Sequence, residues 1–192
     1  SLPSDHPALN RGVPAIRCEA GQHWQWDGVV FEVLHPMPNA YTEQRKDNDR
    51  GCVLRVAVGK HALLLPADIE MKSERELLAR VPDKLRAELL IVPHHGSRTS
   101  STPEFVAAVQ PEVAIFTVGY RNRFQHPKPD VVARYQALNA QLLQSDTAGA
   151  IEITVPSSGV IDVQSYRKQN PRYWRGLPPG ESLSGHPQRC AC

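Results

Sequence analysis

Two consecutive histidines follow a short apolar run near the middle of the chain. Residues 89–92 are all apolar, and they are followed by Pro93, His94, His95 and Gly96. This pattern is typical of a short strand that is buried on both faces and ends abruptly. A strand end is a rigid place from which ligands can be presented, and imidazole is the commonest metal ligand. An isolated pair can equally be two partly buried histidines that are hydrogen-bonded to backbone, so the neighbouring residues decide between the two.

A carboxylate follows the preceding apolar runs. Residues 53–58 and 61–65 flank a turn at Gly59 and Lys60, which predicts a β-hairpin whose second strand leads to Asp68. A carboxylate and a histidine from neighbouring strand ends can converge on one divalent cation, and the carboxylate bridges the ions if a second one is present. Asp68 can also serve as the cap of the helix predicted after it, and both roles can coexist.

A third candidate element is the loop over residues 117–129, which follows the apolar run 113–116. It contains a glycine, an asparagine, two aromatic residues and His126. Such a composition is unusual for a plain spacer, and functional residues are concentrated in loops held by a rigid scaffold. We therefore expect this loop to form a rim of the same cleft.

Basic residues are concentrated in two places, although the net charge of +2 is too small to indicate nucleic-acid binding. Arg121, Arg123 and Lys128 surround the histidine of the loop, and further cations alternate with aromatic residues over 166–175. Cations and flat rings together suit single-stranded nucleic acid, whose backbone is anionic and whose bases stack. A solvated surface with a few packed rings is the alternative.

Five motifs occur in the same order as in one known family. They are DNDRGCVLR at 47–55, LLPADIE at 64–70, VPHHGS at 92–97, GYRNRFQHP at 119–127 and SDTAGAI at 145–151. In these residues the chain resembles the metallo-β-lactamase-like domain at the C-terminal end of the ComEC family of competence proteins. The segment 18–36 is similar to the family as well, so that the resemblance extends over roughly residues 13–175.

The resemblance implies an α/β fold, the second half of a metallo-β-lactamase-like αββα four-layer sandwich. This partial domain is expected over residues 1–175, and 176–192 are expected to form a disordered tail. Composition agrees with a globular chain, since 41% of the residues are apolar and 22% are charged. The local patterns predict strands over 28–34, 53–58, 61–65, 89–92, 113–118, 141–144, 150–155 and 159–166, and helices over 72–80, 103–109 and 129–139.

The resemblance also implies a function. It indicates the metal-dependent nuclease domain of a membrane protein for DNA uptake, which degrades the DNA strand that is not imported. Single-stranded DNA is the expected partner, together with the upstream half of the same domain and a transmembrane channel. The expected location is a soluble domain of a bacterial inner-membrane protein, and the side of the membrane is left open. No run of eighteen apolar residues occurs in this chain.

Site roles follow from the same resemblance. Asp68 is expected to bridge two divalent ions, zinc or manganese, and His95 to complete the second ion site. His94 is expected to be an alternative or supporting ligand, and His126 a substrate-facing or proton-donating group. The predicted substrate-binding residues are Asn48, Ser97, Asn122, Arg121, Arg123 and Lys128, of which Asn48 and Ser97 also orient the ligands through hydrogen bonds.

The chain departs from the family pattern in two ways. It has no His-x-His-x-Asp-His cluster, the source of most ligands of the first ion, and Asp5-His6 reads as an ordinary loop pair. The simplest account is that the numbered chain begins after that cluster, so we expect this fragment by itself to be metal-free and inactive. Pro66-Ala67 also stands where the family has Thr-Gly. The apolar face meant for the missing half is expected to be exposed unless an oligomer or another chain covers it.

Two other classes of function remain open. One is a metallo-β-lactamase-like hydrolase of small esters or phosphoesters, and the other is a DNA-binding module that has lost its metals. The four cysteines add little, because Cys18 and Cys52 are too far apart for a local zinc knuckle and Cys190 and Cys192 lie at the end of the chain. Free thiols are expected.

Overall fold

Seven strands of this protein form one mixed sheet. The computed structural model describes residues 15–43 and 46–171, together with Pro7 and Gly12. The strands are β1 (His23–Trp26), β2 (Val29–His35), β3 (Val53–Val58), β4 (His61–Leu65), β5 (Leu89–Ile91), β6 (Val113–Phe116), β7 (Gln141–Gln144), β8 (Ile151–Thr154) and β9 (Asp162–Ser165). The helices are α1 (Met71–Arg80), α2 (Pro103–Val109), α3 (Pro129–Gln136), α4 (Ser145–Ala148) and α5 (Tyr166–Gln169). The predicted tail over 176–192 and the Asp5-His6 pair lie outside the described residues.

The sheet has an antiparallel half and a parallel half. Its strand order is β1 to β7 in sequence order, with β1 to β4 pairing antiparallel and β4 to β7 pairing parallel. Parallel strands need crossover connections, and the three helices α1, α2 and α3 provide them. The carboxyl ends of β4, β5 and β6 therefore lie side by side at one edge of the sheet, which is a common position for ligand sites.

The predicted hairpin between β3 and β4 is confirmed. Val58 pairs with His61, which leaves Gly59 and Lys60 as a two-residue turn. Gly59 has a φ of +56°, and a Cβ atom there would lie 2.0 Å from the carbonyl oxygen of Ser157. The turn therefore needs glycine for its backbone angle and for the close approach of the 157 segment.

The main core lies between the sheet and the helices. Fully buried Leu64, Leu90 and Phe116 project from the strands toward Phe105 of α2 and Tyr135 of α3. The rings of Phe116 and Tyr135 meet edge to face with centroids 5.7 Å apart. Each such side chain contributes about 1.5–3 kcal/mol on burial, so this layer fixes the strand ends rigidly.

The described residues cover the opposite face of the sheet only in part. The β8–β9 hairpin packs Ile151 and Ile153 against the β5–β6 region, where Leu89, Val113 and Ile115 are buried. The same face continues onto the antiparallel half, because Trp24 pairs with Phe31 and Phe31 pairs with Val56. There it is more open, with Trp24 47% exposed and Trp26 70% exposed. This half of the sheet accordingly presents an apolar face to solvent.

Most predicted elements are confirmed, and the differences are shifted element ends and three short elements without a prediction. The hairpin strand β1 and the single-turn helices α4 and α5 were not predicted, because runs of four residues carry little periodicity. The helix predicted to 139 ends at Gln136, and Asn139 adopts a left-handed conformation with a φ of +57°, as asparagine often does after a helix. Within residues 15–43 and 46–171, no helix has the length and apolar character needed to cross a bilayer.

The prediction of free thiols at Cys18 and Cys52 is wrong, because these residues form a disulfide. Their Cα atoms are 6.1 Å apart although the residues are 34 positions apart in the chain. The segment before β1 runs beside β2, with the Ala20 N–H donating to the Pro36 carbonyl, and Tyr41 donates to the Cys18 carbonyl at 2.6 Å. The pairing of β2 with β3 then brings Cys52, which directly precedes β3, next to Cys18. Sequence spacing cannot reveal such a long-range approach.

Candidate metal site at the carboxyl edge of the sheet

The candidate site is built by two turns that follow neighbouring parallel strands. After β4 the chain turns through Ala67 to Asp68, and after β5 it turns through His94 and His95. The His94 N–H donates to the Ala67 carbonyl at 3.1 Å, which joins the two turns. Helix α1 has Glu70 as its N-cap residue, so the alternative role of Asp68 as that cap is not observed.

Asp68 and His95 face each other across this edge. The distance from His95 Nε2 to Asp68 Oδ1 is 3.5 Å, and both side chains are about half exposed. His95 Nδ1 lies 2.7 Å from the Thr117 carbonyl oxygen, which can only accept, so Nδ1 carries the proton and donates it. Nε2 therefore faces the Asp68 carboxylate, and when it carries no proton its lone pair points at Oδ1. Two acceptors at this distance are stabilised only by a proton or a cation between them.

The geometry of this pair fits two corners of a metal site. Two ligands bound to zinc at about 2.0–2.1 Å with tetrahedral angles lie about 3.3 Å apart, close to the observed separation. The hydrogen bond from Nδ1 to a backbone carbonyl is also the usual support of a histidine ligand. In the described part of the chain, however, no three His, Cys, Asp or Glu side chains are grouped as a metal site. The pair by itself offers too few ligands to hold two ions.

His94 takes part in a second contact and not in the first. Its Nδ1 lies 3.4 Å from Glu70 Oε1 and 3.2 Å from Thr99 Oγ1. Glu70 also accepts a hydrogen bond from Asn48 Nδ2 at 3.3 Å and lies 3.8 Å from Lys46 Nζ. The two adjacent histidines thus face two different carboxylates. His94 is placed to support the site from the side.

The turn that carries the histidines is strained. His94 and His95 have φ values of +48° and +57°, a left-handed region that costs a non-glycine residue about 1–2 kcal/mol each. Gly96 continues the turn with a φ of +80°, and a Cβ there would lie 2.8 Å from Pro127 Cβ and 2.9 Å from Phe116 Cδ1. Strain of this kind persists only where the surrounding packing enforces it, and it is concentrated at functional sites.

The loop after β6 brings His126 to the same place. The His126 ring lies 6.1 Å from the His94 ring, and the Lys128 N–H donates to the Gly96 carbonyl at 3.0 Å. Asn122 fixes the loop from inside, since its side chain bonds both the N–H and the carbonyl of His126 at 2.8 Å. Burial lowers the pKa of His126, and the charge of Lys128, together with the charges that His94 and His95 carry when protonated, lowers it further. His126 is therefore neutral near pH 7.

The remaining predicted residues are placed as follows. Asn48 orients Glu70 and not Asp68. Ser97 lies 3.1 Å from Thr99 Oγ1, so it acts on His94 through that threonine. Arg121 and Arg123 are exposed on the loop, each over an aromatic ring.

The second basic segment, residues 166–175, offers fewer free cations for nucleic-acid binding in its described part than its composition indicates. Arg167 donates to the Asp146 carbonyl and packs against Gly149, so it stabilises the fold around α4. The residues after 171 lie outside the described part.

Three residues of the site were given no role from the sequence. Glu70 faces His94, Thr117 holds His95, and Thr99 joins His94 to Ser97. Thr117 directly follows strand β6, as His94 and Asp68 follow β5 and β4, so its position was a usable signal. Thr99 offered none, because its contact depends on the fold of the turn.

The fold and this edge define a mixed α/β domain with a candidate metal site built from one carboxylate and one imidazole. No family model matches the chain. Several relatives are similar to most of it, and three of them are described below. The identity is 40% over 141 residues with Competence protein ComA of Neisseria gonorrhoeae, 33% over 158 residues with Recombination protein 2 of Haemophilus influenzae, and 30% over 156 residues with ComE operon protein 3 of Bacillus subtilis.

These alignments cover 73%, 82% and 79% of this chain, but only 20%, 19% and 20% of the respective relatives. The chain thus spans about one fifth of the length of the proteins it matches. The relatives support a competence-protein family, of which this chain corresponds to one segment.

Proposed function

We propose that this chain is the second half of a metallo-β-lactamase-like hydrolase domain that acts on DNA during uptake. The observation that carries the proposal is the Asp68–His95 pair at the carboxyl edge of a parallel sheet, with the His95 ring held by Thr117. The names of the relatives, two competence-related proteins and a recombination protein, support a role in DNA uptake. The nuclease activity itself is the proposal.

Asp68 and His95 would hold the metal, zinc or manganese, with the missing ligands supplied from outside these two residues. When bound, divalent ions supply an acidified water and a polarised phosphodiester. The protein contributes the rigid placement of the two ligands, because the strained histidine turn and the Thr117 carbonyl fix the His95 ring. Glu70 and His94 would support this site and tune its charge.

The loop after β6 would meet the substrate. Arg121 and Arg123 are placed to neutralise phosphate charge, and Asn122 keeps the loop in one conformation. His126 is neutral near pH 7 because of its lowered pKa, so in the free protein it would accept a hydrogen bond or a proton. It becomes a proton donor only if an arriving phosphate raises that pKa.

The uncovered half of the sheet is where the first half of the domain would pack. Its apolar residues Trp24, Phe31 and Val56 share one face, and Trp26 is largely exposed. In the αββα sandwich that the motifs imply, this face meets a second sheet. A second copy of the chain is the other occupant that the same surface fits.

The disulfide bears on the side of the membrane at which this domain lies. Structural disulfides persist in oxidising compartments, and Cys52 lies at the surface, where cytosolic reductants would reach it. We therefore propose that this domain, carried by an inner-membrane protein, faces away from the cytoplasm.

The test compares this chain with the polypeptide encoded by its complete gene. Metal content is measured first, and then cleavage of single-stranded DNA and of a small phosphodiester. The proposal expects metal and DNA cleavage in the complete polypeptide, both lost in Asp68→Asn and retained in the surface control Asp83→Asn. It also expects this chain alone to be inactive.

The same measurements separate the two other classes. Metal with turnover of small esters but without DNA cleavage indicates a small-molecule hydrolase. Absence of metal in the complete polypeptide, with DNA binding retained, indicates a binding module.

A further inference from the structure

Two large aromatic side chains are displayed on the loop next to the site. Tyr120 is 72% exposed and Phe124 is 58% exposed, whereas Phe105, Phe116 and Tyr135 are fully buried in the core. Exposed apolar side chains that are grouped on one segment beside a site, as these two are, can mark a binding surface.

The exposure is not a sign of a loose loop. Asn122 bonds both backbone groups of His126, and Lys128 Nζ donates to the Phe124 carbonyl at 2.8 Å. The Lys128 N–H also ties the loop to Gly96 in the histidine turn. The rings are therefore presented by a fixed backbone, and a partner would not have to order them first.

Each ring is paired with a cation. The Arg121 guanidinium carbon lies 5.2 Å from the centre of the Tyr120 ring, and that of Arg123 lies 4.8 Å from the centre of the Phe124 ring. Residues 119–128 contain three cations and no carboxylate, so this segment alone carries a charge of +3 in a chain of net charge +2. Flat rings alternating with cations match a polymer whose flat bases alternate with anionic phosphates.

One of the two rings, that of Phe124, is connected to the histidine turn through His126. Phe124 stacks on His126 with centroids 5.8 Å apart and an angle of 15° between the planes, and His126 in turn lies 6.1 Å from His94. A base placed on Phe124 would thus extend the stack of Phe124 on His126, and His126 meets His94 edge to face, with 62° between the ring planes, beside the candidate site. The base would displace the Arg123 guanidinium from the Phe124 ring. Arg123 could then reach the phosphate of the same nucleotide.

We propose that Tyr120 and Phe124 stack the unpaired bases of a single strand and so select single-stranded over double-stranded nucleic acid. The inference rests on the proposed function and adds the residues that choose the strand. In a duplex the base faces are covered by their neighbours, so a duplex could contact only the arginines. A duplex therefore lacks the contribution of base stacking to the binding free energy and keeps only the electrostatic contribution of the arginines.

Binding is measured on this chain with a chelator present, so that metal-dependent chemistry plays no part. The two probes are a fluorescently labelled oligothymidine and a labelled duplex of equal length. Their binding affinity is measured by fluorescence anisotropy at several salt concentrations. Tyr120→Ala and Phe124→Ala should each weaken single-strand binding by roughly 5- to 150-fold and change duplex binding little. Tyr120→Phe should retain binding, and Tyr120→Leu, which keeps an apolar side chain without a flat ring, should not.

Two controls sharpen the result. Trp26→Ala removes an equally exposed ring from the far edge of the sheet and should leave binding unchanged. Arg121→Gln with Arg123→Gln should weaken both probes and reduce the salt dependence.

Unchanged single-strand affinity after loss of both rings, or an equal loss for the duplex, overturns the proposal. The outcome is independent of the proposed hydrolysis: strand selection without cleavage refutes only the nuclease, and cleavage without strand selection refutes only the stacking.

Discussion

His94 and Glu70 form a carboxylate–imidazole pair of their own, with 3.4 Å between Nδ1 and Oε1, beside the pair that His95 makes with Asp68. The two histidines are adjacent in sequence, but the left-handed turn directs their rings to different carboxylates. Adjacency therefore does not make the two histidines equivalent.

This difference predicts unequal effects on metal binding in the polypeptide from the complete gene. His95→Ala removes a ligand and should abolish binding, whereas His94→Ala removes a support and should weaken it by roughly 10- to 100-fold. Competition with a chelator of known affinity measures both, and His23→Ala on strand β1 is the control. Equal losses in the two variants would contradict the assignment of His94 as a supporting residue.

The sequence was sufficient to predict that Asp68 and His95 meet. Both follow apolar runs, and the ends of neighbouring parallel strands share an edge. Strands β3 and β4 and their turn were predicted without error, because a two-residue turn with glycine leaves little choice of register.

Contacts between distant segments could not be predicted in the same way. The Cys18–Cys52 disulfide and the contact of Thr99 with His94 depend on how whole elements pack. Nothing in the local pattern of residues 18 or 99 carries that information. Glu70 lies between these two cases. Its position near Asp68 in the sequence places it close to the site, but its contact with His94 depends on the conformation of the histidine turn.

Gly96 should tolerate no side chain. An alanine there would combine a left-handed backbone with overlap against Pro127 and Phe116, and we expect a loss of unfolding free energy of about 1–3 kcal/mol. Gly119→Ala is the matched control, because a Cβ there meets nothing within 4 Å. Urea denaturation of the two variants measures the difference. A near-neutral Gly96→Ala would show that the loop and the histidine turn are not held together as described.

Glu74 is a buried carboxylate that holds the segment after the histidine turn. It accepts hydrogen bonds from the backbone N–H groups of Ser101 and Thr102, the latter at 2.8 Å, just before α2. Glu74→Gln replaces one acceptor oxygen with an amide donor that faces an N–H group, so it should destabilise the fold by about 1–3 kcal/mol.

The loss of unfolding free energy caused by Glu74→Gln should change with pH in a defined direction. Burial raises the pKa of Glu74 above its ordinary value of 4.5, so the folded state binds the proton more tightly than the unfolded state. The stability that this group contributes is present at acid pH and is lost as the pH rises through its raised pKa. The destabilisation by Glu74→Gln should therefore shrink between about pH 4.5 and about pH 8. Denaturation at both pH values measures it, and a difference that grows with pH contradicts the raised pKa.

The disulfide should stabilise this chain by constraining its unfolded state. Closing a loop over the 34-residue separation between Cys18 and Cys52 is worth about 3–4 kcal/mol in the chain-entropy treatment. Denaturation of Cys18→Ser with Cys52→Ser should show that loss without reductant, and the difference from the unchanged chain should disappear when a reductant is present. Because the bond also tethers the segment that carries Asn48, the variant should weaken metal binding of the polypeptide from the complete gene. Equal stability of the two proteins under oxidising conditions would remove the argument for an oxidising compartment.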